Sequence, residues 1–275
     1  MEMMAQLQEA AAFIENRLSI APRIGIILGS GLGALGERIV EPVVIPYEDI
    51  PHFYPATVEG HSGRMLIGRL RDKPVVVLQG RLHFYEGLSM GEVVFPVRCM
   101  KLLGIDNLVV TNAAGSLNRD YEAGKLMLIR DHLKMVTDSP LRGPNIDEFG
   151  PRFNDMSDPY PAAIRELAKR CAADLQIDLK EGVYCYMPGP SYETAAEVRM
   201  LGLLGGHAVG MSTVPEVITA VHCGMRVLGI SCLSNMGTGI LDQPLHHDDI
   251  IRAGEQVRTT FIALLEAIIA SWPLG

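Results

Sequence analysis

The chain has 275 residues, 48% of them hydrophobic, enough to bury a full-sized core without disulfide or metal staples. Its formal net charge is -8 with Lys and Arg scattered, which argues against broad binding to nucleic acid or to an anionic membrane. The five cysteines (Cys99, Cys171, Cys185, Cys223, Cys232) form no CxxC and sit mostly in apolar segments, the usage of reduced, buried thiols in a cytoplasmic protein. No run of about 18 uninterrupted apolar residues exists to span a membrane.

In chain order, MEMMAQLQEAAAFIENRL reads as an amphipathic helix without the basic start of a signal peptide. Arg23 to Leu28 is a short apolar run ending in glycines, a buried strand. Arg64 to Leu70 and Pro74 to Gln79 form a strand pair around Arg71-Asp72-Lys73, and Met90 to Leu103 a helix closed by Gly104. Asn107 to Thr111 and Lys125 to Arg130 are further strands. The polar, Pro-rich stretch from Thr137 to Pro161 is a long loop of the functional or interfacial kind. Pro161 to Leu175 is helical, Gly182 to Met187 a strand, Arg226 to Leu233 a late strand and Asp248 to Ser271 a C-terminal helix. Apolar strands alternating with helices, with no repeat or linker, predict a single α/β domain over residues 1–275. Its sheet is mixed, mostly buried and flanked by helices.

The stretch from Met187 to Glu216 holds two helix starts. Thr194 to Glu197 has the capping-box spacing, which leaves the carboxylate of Glu193 free for a ligand. Thr213 to Glu216 repeats the spacing with a proline in the first turn, and Ser212 stands before it, where backbone N–H groups favour an anion. Both also fit ordinary capped surface helices.

Four other segments leave strand ends. Gly31 to Gly36 matches G-x-G-x-x-G, but the following helix-like piece is too short for a dinucleotide unit. A tight glycine turn that offers backbone N–H groups and the Ser30 hydroxyl to an anion fits better. Arg81, His83 and Tyr85 share one face of an extended chain, with a guanidinium fork suited to phosphate oxygens, or are simply a surface arginine and a satisfied histidine. Ala113, in TNAAGS, leaves backbone amides open. Asn235 can donate and accept at once, as a heterocycle edge requires, or can merely form a turn before Gly237. His61 lies in a glycine-flanked loop. His246-His247 lacks a metal-ligand spacing, and no metal constellation, P-loop or nucleophile elbow is present.

The ordered motifs GSGLG, GHSGR, QGRLHFYEG, VVTNAAGSLN, LRGPN, PGPSYETAAE and VGMSTVPEV together resemble those of the trimeric-type purine nucleoside phosphorylases, from about Ile24 to the last helix. The resemblance implies that Ser30, His61, Arg81, His83, the Ala113 backbone and Ser212 hold phosphate. It implies that Tyr85, Met211 and His247 line the ribose, that Glu193 and Asn235 read the purine, and that Tyr184 and Tyr192 pack around base and sugar. His83, Glu193, Asn235 and His247 are the residues it places closest to the chemistry. Phe153 corresponds to the aromatic lent to a neighbouring subunit's pocket, which implies a homotrimer. Met236 departs from the lysine of vertebrate members, and Tyr192 from a common phenylalanine. The implied reaction is phosphorolysis of 6-oxopurine nucleosides, with inorganic phosphate as co-substrate and no cofactor. Asn235 rather than Asp, and His247 in the 5′ pocket, disfavour the related methylthioadenosine phosphorylases. A non-catalytic nucleoside binder would have no need of Arg81, His83 and Ser212.

Overall fold

In the computed structural model, which describes residues 2–58, 60–241 and 247–273 with the side chains of 247–256 outside that description, the run IGIIL forms strand β1 (Ile24–Leu28). All five of its residues are buried, as expected of a strand covered on both faces. It is followed by β2 (Val40–Pro46), β3 (Arg64–Leu70), β4 (Lys73–Gln79), β5 (Asn107–Ser116), β6 (Lys125–Lys134), β7 (Leu179–Tyr186), β8 (Ala208–Gly210) and β9 (Arg226–Met236). The helices are α1 (Glu2–Glu15), α2 (Met90–Val93), α3 (Phe95–Leu102), α4 (Ala162–Asp174), α5 (Ala195–Leu203), α6 (Val214–His222) and α7 (His247–Ser271). None of the described helices is long and apolar enough to cross a membrane.

The mixed sheet runs β2-β3-β4-β1-β5-β8-β7-β6-β9, and β9 also pairs with β5, so β5, β8, β7, β6 and β9 close on themselves. Period-two alternation divides the core between the faces. Ile27, Val76, Leu78, Leu108 and Val110 pack with residues of α1, α3 and α6, while Ile24, Ile26, Leu28, Val75, Val77 and Val109 pack with residues of α4 and α7. β4, β1, β5 and β9 are mutually parallel neighbours, so their carboxyl ends lie along one edge of the sheet. That edge is where open α/β sheets place ligands.

The structure differs from the sequence expectations at several elements. The strand from Asn107 does not stop at Thr111 but runs to Ser116, because parallel pairing with β9 continues through Asn112–Ala114. The helix expected over Met90 to Leu103 is broken at Val94, since Pro96 removes a donor in the first turn of α3. β2 was hidden by Pro42 and Pro46; it is the edge strand, where proline costs no ladder bond on the solvent side. After β1 comes only a short tight helix (Gly33–Arg38) and then β2, not the long helix of a dinucleotide fold. The β3–β4 hairpin forms as expected, with Arg71 and Asp72 both at positive φ (48° and 63°). All five cysteines are free and buried.

Candidate active site

At the carboxyl edge of β1, β4, β5 and β9 the chain encloses a cavity of about 280 Å³. Ser30, Arg81, His83, Tyr85, Ala113, Tyr192, Glu193, Met211, Ser212 and Asn235 line it, so ten positions scattered over 206 residues of sequence meet in one place. Backbone geometry explains the meeting. Gly29 crosses β5 so closely that a Cβ there would lie 2.5 Å from Asn112 Cα, and its N–H donates to Thr111 Oγ1 at 3.1 Å. On β9 a register shift opposes Ala114 to Leu233 and Gly115 to Asn235, which leaves Ser234 as an extra residue. Adjacent strand residues ordinarily face opposite ways; this bulge turns both Ser234 and Asn235 to the cavity.

One end of the cavity is rich in donors. The Arg81 guanidinium is buried and held by Glu216, which accepts from Nε at 3.0 Å and Nη2 at 2.8 Å, and by the Thr111 carbonyl, which accepts from Nη1. Two of its five N–H groups remain for a ligand. His61 does not line the cavity but stands behind Ser30. Its Nδ1 accepts from the Arg81 backbone N–H at 2.8 Å, so the ring proton sits on Nε2 and is donated to Ser30 Oγ at 2.9 Å. Burial, with His83 and Arg81 nearby, pulls the His61 pKa down to about 4 and keeps this neutral tautomer. Ser30 has therefore spent an acceptor site and keeps its own O–H as a donor.

His83 is held by Glu86, whose carboxylate accepts from the His83 backbone N–H at 2.7 Å and faces Nδ1 at 3.1 Å. The same carboxylate takes both the N–H and the hydroxyl of Thr57, tying His83 to the loop that carries His61. Burial alone would raise Glu86; the bonds from His83 and Thr57 outweigh it and bring its pKa down to about 2. Burial lowers the His83 pKa despite that neighbour. His83 thus donates Nδ1–H to Glu86, and Nε2 carries a free lone pair. Tyr85 stacks on the His83 ring, with centroids 4.6 Å apart.

The other end reads differently. Thr194 and Glu197 form a complete capping box, so Glu193 is indeed left out of helix start-up. Glu193 is 8% exposed, and its Oε1 has no hydrogen-bond partner. Burial raises its pKa. Asn235 Oδ1 accepts from Ser234 Oγ at 2.9 Å and Nδ2 donates to the Met236 carbonyl at 3.0 Å, which fixes the amide and leaves one donor and one acceptor site over.

Besides His61, which backs Ser30 rather than facing the cavity, two expectations need correction and one falls outside the description. Thr213 stands at the N-cap of α6, but its side chain makes no capping bond. Its φ of 76° places it in a γ-turn closed by Val214 N–H on the Ser212 carbonyl at 2.8 Å, and Glu216 turns away to the buried Arg81 cation instead. Tyr184 is fully buried behind the cavity wall, where its hydroxyl accepts from Ser212 N–H at 3.4 Å, so its ring is not a ligand-facing surface. The His247 side chain lies outside the described residues. Phe153 is 90% exposed, away from its own chain's cavity. Asn112, Ser234, Glu216 and Glu86 were missed. Asn112 and Ser234 sit beside expected site residues, each just past the expected end of its strand, at Thr111 and Leu233.

The fold and the cavity define a nucleoside-phosphorylase-like α/β protein, and the chain belongs to the phosphorylase superfamily, whose family model matches residues 23–270. It is 54% identical to purine nucleoside phosphorylase 1 of Bacillus subtilis, over 97% of this chain and 98% of that one. Among solved structures it is similar to a Schistosoma purine nucleoside phosphorylase in complex with hypoxanthine, with a TM-score of 0.92, 40% identity and 97% of each chain covered. It is also similar to isoform 2 of the Schistosoma mansoni enzyme in complex with cytosine and ribose-1-phosphate, with a TM-score of 0.94, 41% identity and 98% of each chain covered.

Proposed function

We propose that this chain is a purine nucleoside phosphorylase that cleaves 6-oxopurine ribonucleosides and deoxyribonucleosides with inorganic phosphate, giving free base and the sugar 1-phosphate. The observation that carries this reading is the polarity of one cavity: donors at the Ser30–Arg81–Ser212 end, and the buried, partnerless Glu193 carboxylate with Asn235 at the other. A dianion held at the first end faces C1′ of the sugar. Its oxygen bonds to C1′ as the C1′–N9 bond breaks, and the bond electrons leave on the purine. Positive charge builds on the sugar ring in between, where the fixed anion stabilises it without a protein nucleophile.

Asn235 donates to the purine as negative charge develops near N7 and O6, while Glu193 accepts from N1–H. An adenine ring offers an acceptor at N1, so the Glu193 carboxylate would face an acceptor and be left unpaired. Met211 and Tyr85 supply the sugar wall, Tyr192 covers the base, and His247 closes the 5′ side. We further propose that residues 1–275 act as one domain and need no cofactor beyond phosphate. Phe153, an exposed aromatic on a long loop, would complete a neighbouring subunit's site in a homotrimer; buried free thiols support a cytoplasmic setting.

A panel of inosine, guanosine and adenosine, each with and without phosphate, tests the reading. Base release should require phosphate, yield the sugar 1-phosphate and favour the 6-oxopurines. Phosphate-independent release, or preference for adenosine, would overturn it.

A further inference from the structure

Between β6 and α4 the chain forms neither helix nor strand, yet buried side chains fix it to the helices beneath. An irregular stretch of this length is ordinarily loose. Arg98 of α3, 5% exposed, donates from Nη2 to the Pro140 carbonyl at 2.9 Å. Phe149 belongs to the buried cluster that includes Val217 and Ala220 of α6. Gly150 lies so close to the end of α6 that a Cβ there would stand 2.1 Å from the His222 carbonyl oxygen. Arg152 closes the stretch on itself, donating from Nη1 to the carbonyls of Leu141 at 3.1 Å and Gly143 at 2.6 Å. The next residue is Phe153, so a firmly held loop ends in a bare aromatic ring.

At the centre of this mount is one side-chain pair, Asn145 and His222. Asn145 Nδ2 lies 2.7 Å from Asp147 Oδ1 and 2.9 Å from the Gly150 carbonyl oxygen. Both are acceptor oxygens, so the amide fits only one way round, with its two N–H groups on them. Asn145 Oδ1 is then the acceptor that faces His222 Nε2 at 3.2 Å, and Nε2 carries the ring proton. His222 is 3% exposed, and burial, with Arg98 nearby, lowers its pKa and keeps the ring neutral. His222 is also the last residue of α6, the helix whose first turn sends Glu216 to Arg81. One helix therefore braces its own cavity at one end and seats the Phe153 loop at the other.

We propose that Asn145 and His222 are positioning residues, whose hydrogen bond sets the loop on α6 so that Phe153 completes the nucleoside side of the neighbouring subunit's cavity. The proposal rests on the reading of Phe153 as an aromatic lent to that neighbour. A ring held in place before docking loses little freedom on burial, and that is what the clamp supplies. The clamp and the cavity it serves lie in different subunits, because each member of a closed head-to-tail ring gives its loop to the next.

Inosine KM at saturating phosphate tests the clamp. Phe153→Ala should raise it about tenfold, on the scale of one aromatic contact, with phosphate KM nearly unchanged. Asn145→Ala, at a residue outside the cavity, should raise it to the same degree. His222→Ala should match Asn145→Ala, whereas His222→Gln, which keeps an N–H donor near the Nε2 position, should return towards the wild-type value. Co-expression of Asn145→Ala with Glu193→Ala subunits locates the damage. A Glu193→Ala subunit has a disabled cavity but a sound loop, so it restores the cavity of an Asn145→Ala subunit that follows it in the ring. Purified mixed oligomers should then regain a set of sites with the wild-type inosine KM. Mixed oligomers with only the raised KM would overturn the proposal, because the damage would lie within the Asn145→Ala subunit itself. If Asn145→Ala does not fold, the His222 pair decides: equal KM values for His222→Ala and His222→Gln overturn the clamp. An unchanged KM in Phe153→Ala would instead remove the loan of the aromatic, and this proposal with it.

Discussion

Helices α5 and α6 begin with the same Thr-x-x-Glu spacing and use it in opposite ways. At α5 both partners stay at home: Thr194 Oγ1 accepts from Glu197 N–H at 3.3 Å and the Glu197 carboxylate accepts from Thr194 N–H at 2.7 Å, on an exposed surface. At α6 both partners are taken by distant chain. Thr213 bonds to Asn112, 101 residues away, and Glu216 to Arg81, 135 residues away. The difference is burial. An exposed carboxylate beside an orphan N–H has no better offer than the cap, whereas a buried arginine imposes a far larger cost if it is left alone. A local motif is thus a contest that the tertiary environment can overrule, and it does so where the cavity needs its groups.

Substitutions at the two starts should separate the two uses. The largest effect belongs to Glu193→Ala, just before α5, which should reduce inosine kcat/KM by on the order of 10⁴, because a site built on hydrogen bonds discriminates to that degree. Near-normal turnover would detach Glu193 from base recognition. Next comes Glu216→Ala at α6. It strands the Arg81 cation in the interior and should cost about 3–5 kcal/mol of unfolding free energy in a denaturant titration. A loss no greater than that of a surface residue would mean that the pair is not buried in solution.

Glu193→Gln should do the reverse of Glu216→Ala and stabilise the fold, in a pH-dependent way. Burial raises the Glu193 pKa in the folded state, so ionisation penalises folding. The penalty is absent at acid pH, below the unfolded carboxylate range, and complete once pH has risen through the folded value. Denaturation midpoints of the two proteins should therefore coincide at low pH and diverge towards neutrality, with the variant the more stable. The smallest effect is Thr194→Ala, which removes one exposed cap and should cost about 1 kcal/mol with catalysis kept. A large loss of activity there would show that the α5 start orients Glu193 after all.

Much of this was readable in advance. The strand runs β1, β3, β4 and β9 show in the sequence because continuous apolar stretches have few other uses; of the fourteen expected site residues ten line one cavity, some where such runs end and Tyr192, Glu193, Met211 and Ser212 ahead of the starts of α5 and α6. Asn112 was passed over because it falls inside a strand that was ended too early, at Thr111. Ser234 was passed over because a β-bulge cannot be seen without the partner strand. Tyr184 is expected at the ligand only through the family resemblance, and its burial shows only once its neighbours are known.

By itself the sequence determined the alternation of buried strands with helices, the self-contained cap of α5 and the residue types able to hold an anion and a purine edge. All of these depend on groups within a few residues of one another. Only the tertiary structure decided where the carboxylate of Glu216 would go and which nitrogen of His61 carries the proton. Those outcomes turn on partners scores of residues apart, and on the removal of water, which makes each buried donor and acceptor find a match.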